Sequence, residues 1–85
     1  MRIGKAMMEE LVGYVTGNTK RIQIIQVLGK GKLEVGKVAK ITHTPEKLTM
    51  KILKGLEEKG LVKADGKTYT LTDIGSEVEN RIKSL

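Results

Sequence analysis

Cysteine is absent from this 85-residue sequence, and so are phenylalanine and tryptophan. Without Cys there is no disulfide framework, no thiol nucleophile and no thiolate metal ligand. Tyr14 and Tyr69 are the only aromatic residues, 2% of the chain. Sites for single-stranded nucleic acid stack bases on exposed rings, so this scarcity argues against such a target. The one histidine, His43, cannot build a metal site alone. No carboxylate or nucleophile pairs with it in sequence, so general acid–base catalysis has no support. No apolar run approaches a membrane span, and Met1-Arg2-Ile3-Gly4 leads into charged residues rather than a signal-peptide core. The expected setting is the cytoplasm, with no membrane partner, no metal and no cofactor.

Positive charge is what the chain does have. Sixteen Lys and Arg stand against ten Asp and Glu, a net charge of +6 at pH 7. Such a balance favours polyanions, nucleic acid before an anionic membrane. The length fits one small domain with a thin core, a size that often gains stability from oligomerisation. Abundant Lys and Glu without Cys point towards a thermophile. There is no internal repeat, low-complexity tract or linker.

Residues Ile3 to Val15 read as a first helix. Its apolar residues cover roughly half of the circumference, more than one packing face needs. Two readings stand: one broad buried face, or a face shared between the core and a second subunit. Gly17-Asn18 breaks the chain, and Asn18 is a good N-cap for a second helix, Thr19 to Leu28. Ile22, Ile24, Ile25, Val27 and Leu28 make that helix apolar over most of its girth, so it should lie centrally. Gly29 to Lys32 form a loop. Leu33, Val35, Val38, Ala39 and Ile41 then supply the inner face of a short helix, Val35–Ile41.

Thr44-Pro45 is an N-cap followed by a first-position proline and starts another helix, Pro45 to Lys59. Glu46 suits its positive end, and Gly60 supplies a left-handed stop. Leu61 to Thr72 alternates as a β-hairpin with Asp65-Gly66 as its two-residue turn. In that register Ala64 faces Lys67, Val62 faces Tyr69 and Lys63 faces Thr68, with Val62, Tyr69 and Leu71 inward. Thr72 caps a last helix in which Ile74, Val78, Ile82 and Leu85 form one stripe.

Short helix, tight turn, longer helix and hairpin follow one another as in a winged helix-turn-helix, mainly α with a small β-hairpin. The division is a terminal helix (1–17), a three-helix core with its wing (18–71) and a C-terminal helix (72–85). On a wheel turning roughly 100° per residue, Lys47, Lys51 and Lys54 fall within about 60° of one another. Ile52, Leu53 and Leu56 fall on the far side. A helix packed through those three must point its lysines outward. A lysine face is often merely solvated, and Glu58 shares this one. Here the preceding turn, the following hairpin and the overall charge favour duplex DNA. Lys47, Met50 and Lys51 are the candidate base contacts, with Met50 offering apolar contact to a thymine methyl. Thr44 and the free N–H groups at the helix start are candidate phosphate contacts, as is Lys54. Lys63 and Lys67 on the hairpin either reach a flanking phosphate or the minor groove, or protect an edge strand from aggregation. Arg, Asn and Gln, the usual bidentate readers, are missing from this helix. The expectation is strong backbone binding with moderate sequence discrimination.

Three segments carry a family resemblance: Gly17 to Ile25, then Leu53-Lys54-Gly55-Leu56-Glu57-Glu58-Lys59-Gly60-Leu61-Val62, then Tyr69-Thr70-Leu71-Thr72-Asp73-Ile74-Gly75. Together they resemble the archaeal winged-helix transcriptional regulators related to ArsR and MarR, over about Asn18 to Val78. The resemblance implies a homodimer, built from the terminal helices, that binds operator DNA. Met7, Met8, Leu11, Val15, Val78, Ile82 and Leu85 are then the candidate dimer residues. The metal-binding Cys and His residues of ArsR sensors are missing, which argues against metal sensing, and the short hairpin argues against deep minor-groove insertion.

Gly31-Lys32-Leu33-Glu34-Val35-Gly36-Lys37 imitates a phosphate-binding loop, but Val38 stands where magnesium binding needs Ser or Thr. Nothing else argues for an enzyme. The competing readings are a protein–protein module docking through the first helix and a binder of structured RNA.

Overall fold

The computed structural model describes residues 4–85. Ile3, placed by sequence in the first helix, lies outside them. Eight elements follow in order: α1 (Lys5–Thr16), α2 (Thr19–Leu28), β1 (Leu33–Glu34), α3 (Val35–Ile41), α4 (Glu46–Glu58), β2 (Val62–Asp65), β3 (Thr68–Leu71) and α5 (Asp73–Lys83). The start of α2 is fixed by Asn18, whose side chain accepts the Lys20 N–H at 2.8 Å. This satisfies one of the helix's free donors. Apolar on most sides, α2 packs against every other helix and β3. Ile24, Ile25 and Leu28 are buried with Val15, Val38, Leu53, Leu56 and Val78. Each such side chain contributes about 1.5–3 kcal/mol of transfer free energy.

The helix after the turn starts one residue later than expected. Pro45 holds the N-cap position, and no side chain caps it. The expected cap, Thr44, is turned inward. It is 6% exposed, its hydroxyl donates to the Thr42 carbonyl at 3.1 Å, and its N–H donates to the Ala39 carbonyl at 3.0 Å. The α3–α4 turn therefore closes on itself. His43 within it has φ 52°. At the other end of α4, Gly60 takes φ 77°, the left-handed stop.

The hairpin register differs from expectation by two residues. Val62 pairs with Leu71, Lys63 with Thr70, Ala64 with Tyr69 and Asp65 with Thr68. The two-residue turn is Gly66-Lys67, with Gly66 at φ 63°. Glycine at the first central position meets the positive-φ demand of a type II′ turn, whereas an Asp65-Gly66 loop of type I′ would need positive φ at Asp65 too. The observed register also sets Val62 against Leu71, two apolar residues. Because the shift moves each partner by two, the faces are unchanged: Val62, Tyr69 and Leu71 still point inward and Lys63 outward.

A third strand was not foreseen. Leu33, assigned to the α3 face by sequence, belongs to β1, which pairs antiparallel with β3 through Leu33↔Tyr69 and Glu34↔Thr68. The sheet order is β1-β3-β2. An exposed ion pair, Lys32–Asp65 at 3.2 Å, spans the same region.

Thr72 knots three elements. Its hydroxyl donates to the Gly60 carbonyl and accepts the Gly75 N–H at 3.0 Å, while its N–H bonds the Leu61 carbonyl. The first turn of α5 lies so close to Leu61 that a Cβ on Gly75 would collide with the Leu61 carbonyl oxygen.

Candidate nucleic-acid interface

Burial of Thr49, Leu53 and Leu56 fixes the rotation of α4. Thr49 is fully buried with its hydroxyl on the Pro45 carbonyl at 3.0 Å. Lys47, Lys51 and Lys54 consequently stand exposed on the opposite side. None of them makes an ion pair among the described residues, where the two salt bridges are Lys32–Asp65 and Lys83–Glu79. Lys63 on β2 and Lys67 in the turn are exposed as well. The helix and the wing thus offer unneutralised ammonium groups.

Two candidates sit elsewhere than the sequence suggested. Thr44 is buried and hydrogen-bonded inward, so its hydroxyl is not presented to a phosphate, and Glu46 stands exposed in the first turn of α4. Met50 is half-buried against the wing, where the Tyr69 hydroxyl donates to its sulfur at 3.7 Å. The apolar residue that α4 does expose in its first two turns is Leu48, 42% accessible.

Arg21 was missed. It begins α2 beside the end of α1, its guanidinium 3.9 Å from the Tyr14 ring centroid. The same group donates to the Tyr14 carbonyl at 2.7 Å. Lys59 approaches that ring at 5.2 Å. Stacking and hydrogen bond together hold the planar cation in place. Tyr14, Arg21, Leu48, Lys51, Ile52 and Gly55 line an open cleft of about 710 Å³ along the flank of α4. A sequence signal existed. Gly17-Asn18 reverses the chain, which brings Tyr14 and Arg21, seven residues apart, side by side.

The candidate dimer residues divide in two. Met8, Leu11, Val15 and Val78 are 8% exposed or less, within the protomer's own core. The protomer itself covers them, since α1 and α5 pack on each other and on α2. Met7 at 58% and Leu85 at 84% remain open, with Ile82 partly so. Among the described residues no group of three His, Asp or Glu is placed to hold a metal ion, and no helix is long and apolar enough to cross a membrane.

Helix, turn, helix and a three-stranded wing define a winged helix-turn-helix domain. No family model and no curated protein matches the sequence, but solved structures match the fold. Quinone-bound YodB from B. subtilis superposes with TM-score 0.80 at 25% identity, over 89% of this chain and 88% of that one. The homodimeric winged helix-turn-helix DNA-binding domain of Mb0332 from Mycobacterium bovis, described as a possible ArsR-family transcriptional regulator, gives 0.74 at 21% identity, over 91% and 76%. HlyU from Vibrio cholerae gives 0.72 at 25% identity, over 96% and 92%.

Proposed function

We propose that this chain is a double-stranded DNA-binding transcriptional regulator that acts as a homodimer. The observation that carries the reading is the lysine face of α4, exposed and unpaired opposite a fully buried stripe, with Lys63 and Lys67 on the adjoining wing. In this reading α4 enters the major groove, and lysines from helix and wing neutralise phosphates. Arg21, held on Tyr14 at the edge of the same face, adds a planar donor for a flanking phosphate. The likeness to Mb0332, a homodimeric DNA-binding domain, supports both parts of the proposal.

Of the candidate dimer residues, Met7, Ile82 and Leu85 would face the second copy. For both copies to enter successive major grooves, the two-fold axis must set the two α4 helices about 34 Å apart, one turn of the duplex. The decisive experiment is a duplex titration at several salt concentrations. Affinity should fall with a log–log slope of roughly −0.9 per phosphate contact. A protein whose duplex affinity ignores salt, or that prefers RNA duplex to DNA duplex, would refute the reading.

A further inference from the structure

The lysine arc of α4 has two edges, and they differ. On the wheel Met50 and Leu48 flank the arc, at about −60° and 100° from Lys47. The Met50 edge is partly covered by the wing, where the Tyr69 hydroxyl bonds the Met50 sulfur. The Leu48 edge is open, bordered by the cleft that Arg21 and Lys51 line. Leu48 lies in the first turn of α4 and is 42% exposed, although its neighbours Lys47 and Lys51 have no ion-pair partner among the described residues. A branched apolar side chain is thus displayed beside the unpaired Lys47 and Lys51, at the end of the helix that, in helix-turn-helix docking, lies nearest the bases.

Resting on the DNA-binding reading above, we infer that Leu48 is a specificity-determining residue that packs on the 5-methyl group of a thymine in the major groove. Three physical points select this ligand chemistry. The cleft beside the side chain is lined by Arg21, Lys51 and Lys54 against Glu57 and Glu58, and with Lys47 the local balance is positive, which disfavours a purely apolar protein partner. Leucine has no donor or acceptor, so the thymine methyl is the feature of the major-groove edge it can read. The residue the sequence suggested for that contact, Met50, is held by Tyr69 on the partly covered side. Lysines alone would give affinity with little discrimination. One apolar contact per half-site supplies a sequence preference without any bidentate side chain on α4.

The test uses the full chain and duplexes selected with it from a random DNA library. Each thymine of a selected duplex is replaced in turn by deoxyuridine, which removes only the methyl group. The wild-type protein should lose affinity at one position per half-site by about fourfold, the worth of one buried methylene-sized group. Leu48→Ala should bind the thymine and deoxyuridine duplexes equally. Ile41→Ala should keep the methyl preference, since Ile41 is equally exposed (45%) but lies in a separate cleft with Lys20 and His43. Selected duplexes whose deoxyuridine forms all bind wild type normally would overturn the inference while leaving DNA binding intact. So would a methyl preference that survives in Leu48→Ala. Failure of the protein to retain any duplex from the library at low salt would overturn both.

Discussion

Asn18 carries a disproportionate share of the order in the first third of the molecule. Its side chain caps α2, and the reversal it sets brings Arg21 onto Tyr14. Asn18→Ala should cost about 1 kcal/mol and lower the melting temperature by about 4–8 °C, read by circular dichroism. Gly75 is constrained by space. Since a Cβ there meets backbone rather than a flexible side-chain end, Gly75→Ala must push α5 away from Leu61 and should cost about 1–3 kcal/mol or more. Helix propensity alone would favour the alanine, so the sign of the measured change discriminates crowding from propensity. Single residues were also where sequence reading reached its limit. The wheel places Met50 and Leu48 at comparable edges of α4, and only the position of the Tyr69 ring, nineteen residues away in the chain, decides which edge stays open.

At the scale of elements, α4 is the part whose orientation was legible in advance. Three apolar residues and three lysines on opposite sides leave one rotation that buries the first set, and Leu53 and Leu56 are 0% exposed. Replacing Lys47, Lys51 and Lys54 together by Ala should leave the fold intact, because all three are exposed. Duplex binding should weaken markedly and the salt slope should become shallower, by roughly 0.9 for each phosphate no longer neutralised. Leu53→Ala on the reverse face should instead destabilise the domain by about 2–5 kcal/mol, measured by denaturant titration. The hairpin was legible in its faces but not in its register. Alternation of side chains survives a shift of two, so Val62, Tyr69 and Leu71 point inward in either alignment. Which residues occupy the turn is decided by the positive φ that glycine accepts, and Asp65-Gly66-Lys67 admits two placements. β1 left no signature: two residues are too few to show alternation, and its pairing to β3 spans more than thirty residues of sequence.

For the whole molecule, the candidate dimer surface follows from what the core leaves over. Once Met8, Leu11, Val15 and Val78 are buried within the protomer, Met7 on α1 and Leu85, just past the end of α5, are the large apolar residues still open there. Met7→Asp combined with Leu85→Asp should shift the protein to monomer in sedimentation equilibrium without loss of helical signal. It should also abolish the dependence of melting temperature on protein concentration. An unchanged dimer would place the two-fold axis elsewhere. The terminal helices were legible as elements, but their apolar stripes could not be divided between core and partner from periodicity alone. That division depends on how α1 and α5 lie across α2, a long-range fact. The short strand before α3 bears on how the whole domain would sit on a duplex. Leu33 and Glu34 run directly into α3 while hydrogen-bonded to β3, so the helical pair and the wing share one rigid root. The gap between the α4 lysines and the wing lysines is then a ruler of fixed length. If α4 enters a groove as proposed, inserting a single base pair between that groove and the backbone facing Lys63 and Lys67 would put the two sets of lysines out of phase with the phosphates.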